Sequence, residues 1–497
     1  MGRHATRNSQ DKLVITSLTP TNCHGWFLSG GIHAINLEDI PMLTTRIPTR
    51  LGKHLMTAAI VFTLSASMSF GQTGHVLNGV GPIDQGMSGA GMAAPQDALT
   101  ALHWNPAAIL ARPGKTLDIG LQLMMPTSTV TSEVQQGAFG PGFGPPVLLS
   151  GSADSDAGPF PIPSIGFIFN KPESRLAFGL SAYGVGGFGV DYAGSNTNPI
   201  LTPQMPQGGM GFGAVESTFM LLQVSPTIAY KVNDNIWVGL SPTLNLASLE
   251  LSVFPGTAPQ FIDAFGTPTI PQDDLPLYPD APAAWATGFG FQVGIHAVVN
   301  EDVSVGISFK SPQKFSDFEY DPQTAGAADY TFRMDFPTII SGGIAYTGVD
   351  KLILAADVRY IDYANTKGFD EVGFDDRFAV KGFGWDAITV VALGLQYEVA
   401  DGVPVRFGYS WNDNPIGDDV AFFNTPAPAL VMSHISGGIS FNVTDKIKAS
   451  FAGQYALNTE VEGEWKNPMF PGGSNPATMV RSELSTLTII GGLCVNL

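Results

Sequence analysis

From about residue 115 to the end of the chain, apolar and polar side chains alternate with a period of two, the spacing that sends successive side chains to opposite faces of a β-strand. Ile236, Val238, Leu240, Leu244 and Leu246 share one face of such a segment, and Gly239, Ser241, Thr243 and Asn245 share the other. Ile435, Ile439, Phe441 and Val443 alternate in the same way with Ser436, Gly438, Ser440 and Asn442. The pattern predicts fourteen strands, at 115–130, 161–170, 175–190, 216–231, 236–252, 284–299, 303–318, 330–346, 351–366, 385–399, 403–412, 431–443, 446–458 and 482–497. Short turns such as Asn233-Asp234-Asn235, Asn300-Glu301-Asp302 and Asp401-Gly402 alternate with connections of roughly ten to thirty residues. An even number of antiparallel strands, with short turns at one end and long loops at the other, is the layout of an all-β transmembrane barrel. Such a barrel hydrogen-bonds every backbone group and leaves no sheet edge in lipid. Soluble sandwiches and propellers also alternate, but they use strands of about five or six residues or repeating blades, and neither describes this chain.

Residues 72–113 break the pattern. Gly79, Gly81, Gly86, Gly89, Ala90, Gly91, Ala93 and Ala94 crowd small side chains together ahead of Asp97-Ala98-Leu99-Thr100-Ala101-Leu102-His103-Trp104-Asn105-Pro106-Ala107-Ala108. A fourteen-stranded barrel is too wide for its own side chains to fill, so a compact segment before the first strand is expected to fold into the lumen as a hatch. Upstream, Arg46, Arg50 and Lys53 precede a mostly apolar run from Thr57 to Phe70, and Ser69 and Gly71 put small residues three and one before Gln72. That is the layout of a secretory signal peptide cut before Gln72, with Met42 as its natural start. The expected organisation is a mis-assigned start or leader at 1–41, a signal peptide at 42–71, an N-terminal hatch at 72–113 and a transmembrane barrel at 114–497.

Composition narrows the function. Only 13% of residues are charged, and 43 acidic against 24 basic residues give a net charge of −19, which leaves no basic surface for nucleic acid. Cys23 and Cys494 form no disulfide framework, and no cluster of Cys and His offers a metal site. Gly184, Gly186 and Gly189 spell the dinucleotide fingerprint GxGxxG, but Val190-Asp191-Tyr192 leads into a loop and not into the helix that must receive the pyrophosphate, so no cofactor is expected. A barrel lipase needs a serine, a histidine base and an orienting partner. Beyond residue 71 the only histidines are His75, His103, His296 and His434 and no GxSxG elbow occurs, so the chain is not read as an enzyme.

The Gly-rich stretch ending in Asn105-Pro106-Ala107 carries a resemblance, supported by Tyr230-Lys231-Val232-Asn233-Asp234 leading into Ile236-Trp237-Val238-Gly239 and by Asp357-Val358-Arg359-Tyr360-Ile361-Asp362-Tyr363 after Lys351. From about Gly74 to Leu497 the chain resembles the outer-membrane long-chain fatty acid transporter family, of the FadL and TodX type, which includes aromatic-hydrocarbon channels. The resemblance implies a passive channel for hydrophobic molecules in the outer membrane of a Gram-negative bacterium, taking long-chain fatty acids or, alternatively, small aromatic hydrocarbons. It makes Asn105, Pro106 and Ala107 the hatch motif, and it places a wall-opening kink of the third strand at Gly184, Gly186, Gly187 and Gly189. The partners implied are hydrophobic small molecules, outer-membrane lipid and lipopolysaccharide, and the barrel assembly machinery, with the departure that the chain ends on Leu497 where an aromatic residue is common. A surface-recognition barrel with a blocked lumen is the reading from another class.

Cargo without hydrogen-bonding groups needs apolar surface where a porin has charge. The loops supply Phe139, Phe143, Val147 and Leu148, then Phe254, Phe261 and Phe265, and lastly Phe422 and Phe423. These either capture ligand or pack on each other as a lid. Lys310, Arg333, Arg359, Lys381 and Arg406 are scarce cations in an acidic chain. Arg359 lies opposite Leu352, Leu354 and Val358 and so faces inward; Arg359 and Arg406 are the expected contacts for a carboxylate headgroup.

Overall fold

A computed structural model describes residues 72–140, 145–252, 260–262, 275–278, 282–321, 329–467 and 473–497. The expected leader and signal peptide lie outside these residues. Fourteen antiparallel strands form the wall: β1 Gly114–Val134, β2 Phe160–Asn170, β3 Leu176–Tyr192, β4 Val215–Lys231, β5 Ile236–Leu251, β6 Ala284–Val298, β7 Val303–Lys310, β8 Thr338–Val349, β9 Leu352–Asp362, β10 Ile388–Ala400, β11 Val403–Asn412, β12 Ser433–Asn442, β13 Ile447–Lys466 and β14 Ser474–Asn496. Each pairs with the next, and β14 returns to β1 from Thr478↔Val134 to Asn496↔Thr116, so the barrel closes.

Two expected strands are too long. β7 stops at Lys310, and Lys314–Phe315, Phe318–Tyr320 and Tyr330–Phe332 are short separate strands in the connection to β8. Pro312 has no N–H to continue the β7 ladder. Two others are too short, since β13 runs on to Lys466 and β14 starts at Ser474.

The outer face of the lower wall, at the short-turn end, is apolar and uncovered by protein: Phe289 is 69% exposed, Phe407 56% and Leu121 55%. That belt is what lipid covers. The inward residues between them are small or polar, as with Ser241, Thr243 and Asn245 on β5, and they are buried. β1, β13 and β14 hold 21, 20 and 23 residues, well beyond the roughly 9–11 that cross a bilayer. No large apolar side chain is exposed on them above Leu121, Leu457 and Ile489, so their upper parts stand above the lipid. There the alternation fades while the ladder continues, which is why the sequence pattern ended β13 early and began β14 late. Among the described residues no helix is long and apolar enough to span a membrane; the strands do so.

The lumen is filled from both ends. Below sits the hatch, with α1 (Gly81–Gln85), α2 (Ala98–Trp104) and a 3-10 turn at Pro106–Ala111, preceded by the short strands Gln72–Thr73 and Val76–Leu77 that climb to mid-height. α2 forms because Asp97 caps it, accepting the Thr100 N–H at 2.8 Å. At its far end Gln292 of β6 donates to the carbonyls of Trp104 (2.8 Å) and His103 (3.1 Å), which the helix leaves orphaned. From above, Tyr363, Phe369, Phe383, Trp385 and Phe422 fold inward from the long connections and join Tyr183, Phe188 and Phe219 of the wall in one apolar cluster.

Candidate functional site

Asn105, Pro106 and Ala107 lie where the hatch meets the wall at β5 and β6. Asn105 donates its N–H to Ala101 O (3.2 Å), its Oδ1 accepts the Ala107 N–H (3.1 Å), and its Nδ2 donates to Ile295 O of β6 (3.0 Å). One residue thus ends α2 through its backbone N–H, and its side chain starts the next turn and fastens it to the barrel. Pro106 follows at the first position of that turn, where no N–H is needed. Ala107 lies against β5, where Gly239 leaves so little room that any Cβ would collide with the Pro106–Ala107 backbone.

The segment ahead of α1 reaches the opposite wall. β2 and β3 pair only from Asn170↔Ala177 up to Ser164↔Tyr183. Above that, β2 stays paired with β1 as far as Phe160↔Met124, and β3 stays paired with β4 up to Tyr192↔Val215, with a register shift between Gly184 and Gly186. Pro161 and Pro163 explain the separation. Both keep register with β1, so their missing N–H groups fall on the side facing β3. The gap closes again where Asp191 donates to Ser155 Oγ (2.9 Å) and Asp156 donates to Asp191 O (2.9 Å). Between these closures, from Tyr183 to Asp191, β3 runs for roughly 26 Å, at about 3.3 Å per residue, without β2. The hatch covers part of the gap, since Val76 pairs with Gly186 and Gly187 donates to His75 O at 2.9 Å. Gly186 has no Cβ because His75 O would lie 2.7 Å from it. Gly184, Gly186, Gly187 and Gly189 therefore border one edge of this gap in the strand pairing, a window between β2 and β3. Alternate prolines in β2, the signal for the other edge, were not read from sequence.

A cavity of about 290 Å³ occupies this window, at the lower end of the roughly 300–1,000 Å³ of ligand pockets. Its inner lining includes Gln72, Met124, Phe188, Phe219 and Leu221, and its outer lining includes Leu222, Leu246 and Trp285 of the lipid-facing belt. His75 lies behind this lining, against Gly186 and Phe219. Its ring stacks on Phe369 (5.0 Å, 11°) and lies 5.3 Å from Phe336, 5.4 Å from Tyr363, 5.8 Å from Phe219 and 6.0 Å from Trp385. Beyond Phe336 a small crevice is lined by Val76, His103, Gln292, Lys310 and Ser341. The N-terminal segment thus separates the window from Lys310.

The cations divide by partner. Arg359 faces inward as the strand parity required, but its guanidinium is engaged by Asp357 (3.0 Å), the carbonyl of Gly89 and the Trp104 ring (3.6 Å). Arg406 donates to Ser440 Oγ (2.7 Å). Lys310 is buried, and its hydrogen bond goes to a neutral group, Gln223 Oε1, at 3.2 Å. Among the described residues it has no carboxylate partner. Arg359 is thus engaged by a carboxylate of the protein, whereas Arg406 and Lys310 each donate to a neutral side chain and have no ion-pair partner among the described residues.

Of the loop residues expected to capture ligand, Phe143, Phe254 and Phe265 and the side chain of Phe261 lie outside the described residues. Phe139 is partly buried against the upper cluster, 6.3 Å from the Trp465 ring, whereas Val147 and Leu148 are 60% and 57% exposed. Phe422 and Phe423 are buried in the turn Asp418–Asn424, where they serve as lid packing.

Burial titrates the hatch. It pushes Asp84 up to about 8 and Asp97 upward, and it pulls His75 down to about 3 and His103 well below the usual range. Arg359, Asp97 and Asp357 are the charged neighbours of Asp84. A seated hatch therefore holds more protons on its aspartates, and fewer on its histidines, than an unseated one. Between about pH 4 and 6.5 the two effects oppose each other; from about 6.5 to 8 the titration of Asp84 dominates, and seating weakens on the order of 1–2 kcal/mol as pH rises. Hydrogen exchange of residues 80–92, corrected for intrinsic rate, should show protection falling over that window in the wild type and a flatter profile in Asp84→Asn. Protection that rises with pH would show that these groups do not govern the seat.

Comparison with known proteins decides the family. The model of the outer membrane protein transport protein family (OMPP1/FadL/TodX) matches residues 64–474. The chain belongs to this family. It is accordingly an outer-membrane transport protein for hydrophobic substrates, of a family of passive channels and not of enzymes. Similar solved structures include the toluene transporter TodX of P. putida (TM-score 0.59, 16% identity, 84% of this chain and 99% of that one) and a FadL homologue of Pseudomonas aeruginosa (0.62, 15%, 85% and 100%). The toluene transporter TbuX of Ralstonia pickettii is similar as well (0.57, 19%, 84% and 99%). At these identities the likeness extends to the fold. No curated protein sequence matches the chain.

Proposed function

We propose that this channel takes up long-chain fatty acids. Cargo is captured by apolar residues of the upper loops, passes to the aromatic lumen, and leaves sideways through the window between β2 and β3 when residues 72–77 withdraw. The observation that carries this reading is the apolar cavity that runs through the wall from Phe219 inside to Trp285 outside. A hydrocarbon chain gains from every apolar contact along that path and need not enter water. Long acids are favoured over neutral hydrocarbons by the buried amine of Lys310, which donates to the Gln223 amide oxygen and lies 5.5 Å from the centre of the Phe336 ring, on the far side of the same N-terminal segment. The ring cage now filled by His75 favours the second reading, small aromatic cargo.

Transfer of a fluorescent long-chain acid and of naphthalene by the full chain in proteoliposomes separates the two. A charge-assisted hydrogen bond is worth about 1.5–3 kcal/mol, so Lys310→Met should weaken acid binding roughly tenfold to a hundredfold and leave naphthalene unchanged. Equal effects on both probes, or none on either, would remove the case for acids. Naphthalene transfer by the wild type without acid transfer would establish the hydrocarbon reading.

A further inference from the structure

Asp357 and Arg359 stand two residues apart on β9, share its inward face and pair at 3.0 Å with both side chains buried. Their remaining hydrogen bonds go to the hatch. Asp357 Oδ2 accepts the N–H groups of Gly91 (2.9 Å) and Met92 (3.0 Å), and Arg359 donates to the carbonyl of Gly89. The Arg359 guanidinium also sits 3.6 Å from the centre of the Trp104 ring, whose Nε1 donates to Asp84 (2.9 and 3.1 Å), and Asp84 in turn accepts the Val80 N–H (2.9 Å). One point of the wall thus holds the Gly-rich stretch and α2 together.

Several other bonds between hatch and wall join neutral groups: Asn78 to Ser410, Ser88 to Ser436 and Gln292 to Trp104. Charge-assisted bonds are about twice as strong as neutral ones, and breaking a buried pair leaves a charge without compensation. We propose that the Asp357–Arg359 pair is the clasp that positions the hatch and sets how readily it moves. Both are positioning residues; they act on passage through the hatch and do not touch cargo. The inference rests on the hatch-gated passage proposed above.

The test uses the full chain in proteoliposomes, with hydrogen exchange at Gly91 and Met92 read beside transfer of the fluorescent acid and of naphthalene. Arg359→Met and Asp357→Asn should each speed exchange at those amides roughly a hundredfold or more. They should quicken transfer of both probes by a common factor and leave strand amides protected. Arg359→Lys, which keeps the charge but loses the planar stack, should recover part of the protection. Arg481→Met, which removes an exposed partner of Glu462, should change neither. Unchanged exchange in Asp357→Asn overturns the clasp. So does loss of acid transfer alone in Arg359→Met, which would make Arg359 a headgroup contact. A loosened hatch with unchanged transfer overturns it too, while wild-type transfer in the same vesicles keeps the transport reading separate. Should Arg359→Met fail to assemble, the nearly isosteric Asp357→Asn carries the test.

Discussion

Gly239→Val should unseat the hatch while leaving the barrel assembled. Gly239 is an inward position of β5, paired with Ala229 on β4 and Gly294 on β6, and Pro106 O would lie 2.6 Å from any Cβ placed there. Valine suits a strand better than glycine does, so the wall itself should not suffer. The hatch must give way, and it has little slack: Ala107, Ala108 and Ile109 are fully buried behind the contact. Overpacking of this kind costs about 1–3 kcal/mol where side chains can shift and more where the obstacle is backbone, as here. Residues 98–111 should lose hydrogen-exchange protection, while the heat-dependent gel shift of the folded barrel stays as in the wild type. Gly453→Val is the control, because a Cβ there meets nothing nearer than Thr488 O at 4.0 Å. Undiminished protection of residues 98–111 in Gly239→Val would mean that Asn105, Pro106 and Ala107 do not hold the hatch.

The wall was legible because lipid outside and a polar, filled lumen inside impose opposite demands on alternate residues of every strand. Ile236 to Leu246 show it directly: the apolar members face out and Ser241, Thr243 and Asn245 face in. The reading failed where that contrast fades, on the upper parts of β13 and β14. At the site, legibility followed sequence distance. Asn105 and Pro106 carry local capping chemistry, whereas the part of Asn105-Pro106-Ala107 as a hatch motif comes from the family resemblance alone. The inward direction of Arg359 follows from parity on β9. Its partners do not, since Gly89 lies 270 residues away and Gly91 lies 266 from Asp357, and only the path of the hatch brings them together. For Phe422 and Phe423 the sequence leaves capture and lid packing open for a similar reason: nothing local shows that the turn bearing them packs against β13. For the window, the glycines of β3 were visible alone, whereas Pro161 and Pro163 acquire meaning only once β3 is known to be their neighbour.

Because β2 and β3 approach without pairing, one covalent bond should shut the window. A Cβ at Gly184 would stand 3.9 Å from that of Ile162, within the roughly 3.5–4.5 Å of a disulfide, and both positions line the cavity. Cys494 is buried in the wall and should not compete for pairing. In Ile162→Cys/Gly184→Cys, oxidation should lower transfer at least tenfold for acid and hydrocarbon alike, and reductant should restore it. Each single variant should transfer normally under both conditions. Exchange at Gly91 and Met92 should not change, because the bond lies between two wall strands and leaves the seat of the hatch alone. Full oxidation with transfer intact would mean that cargo does not leave sideways. The remaining route would run downward past α2 and the turn at Pro106–Ala111, and Gly239→Val, which frees that turn, should then accelerate transfer even with the disulfide in place. If cargo leaves through the window, the same triple variant should stay blocked until it is reduced.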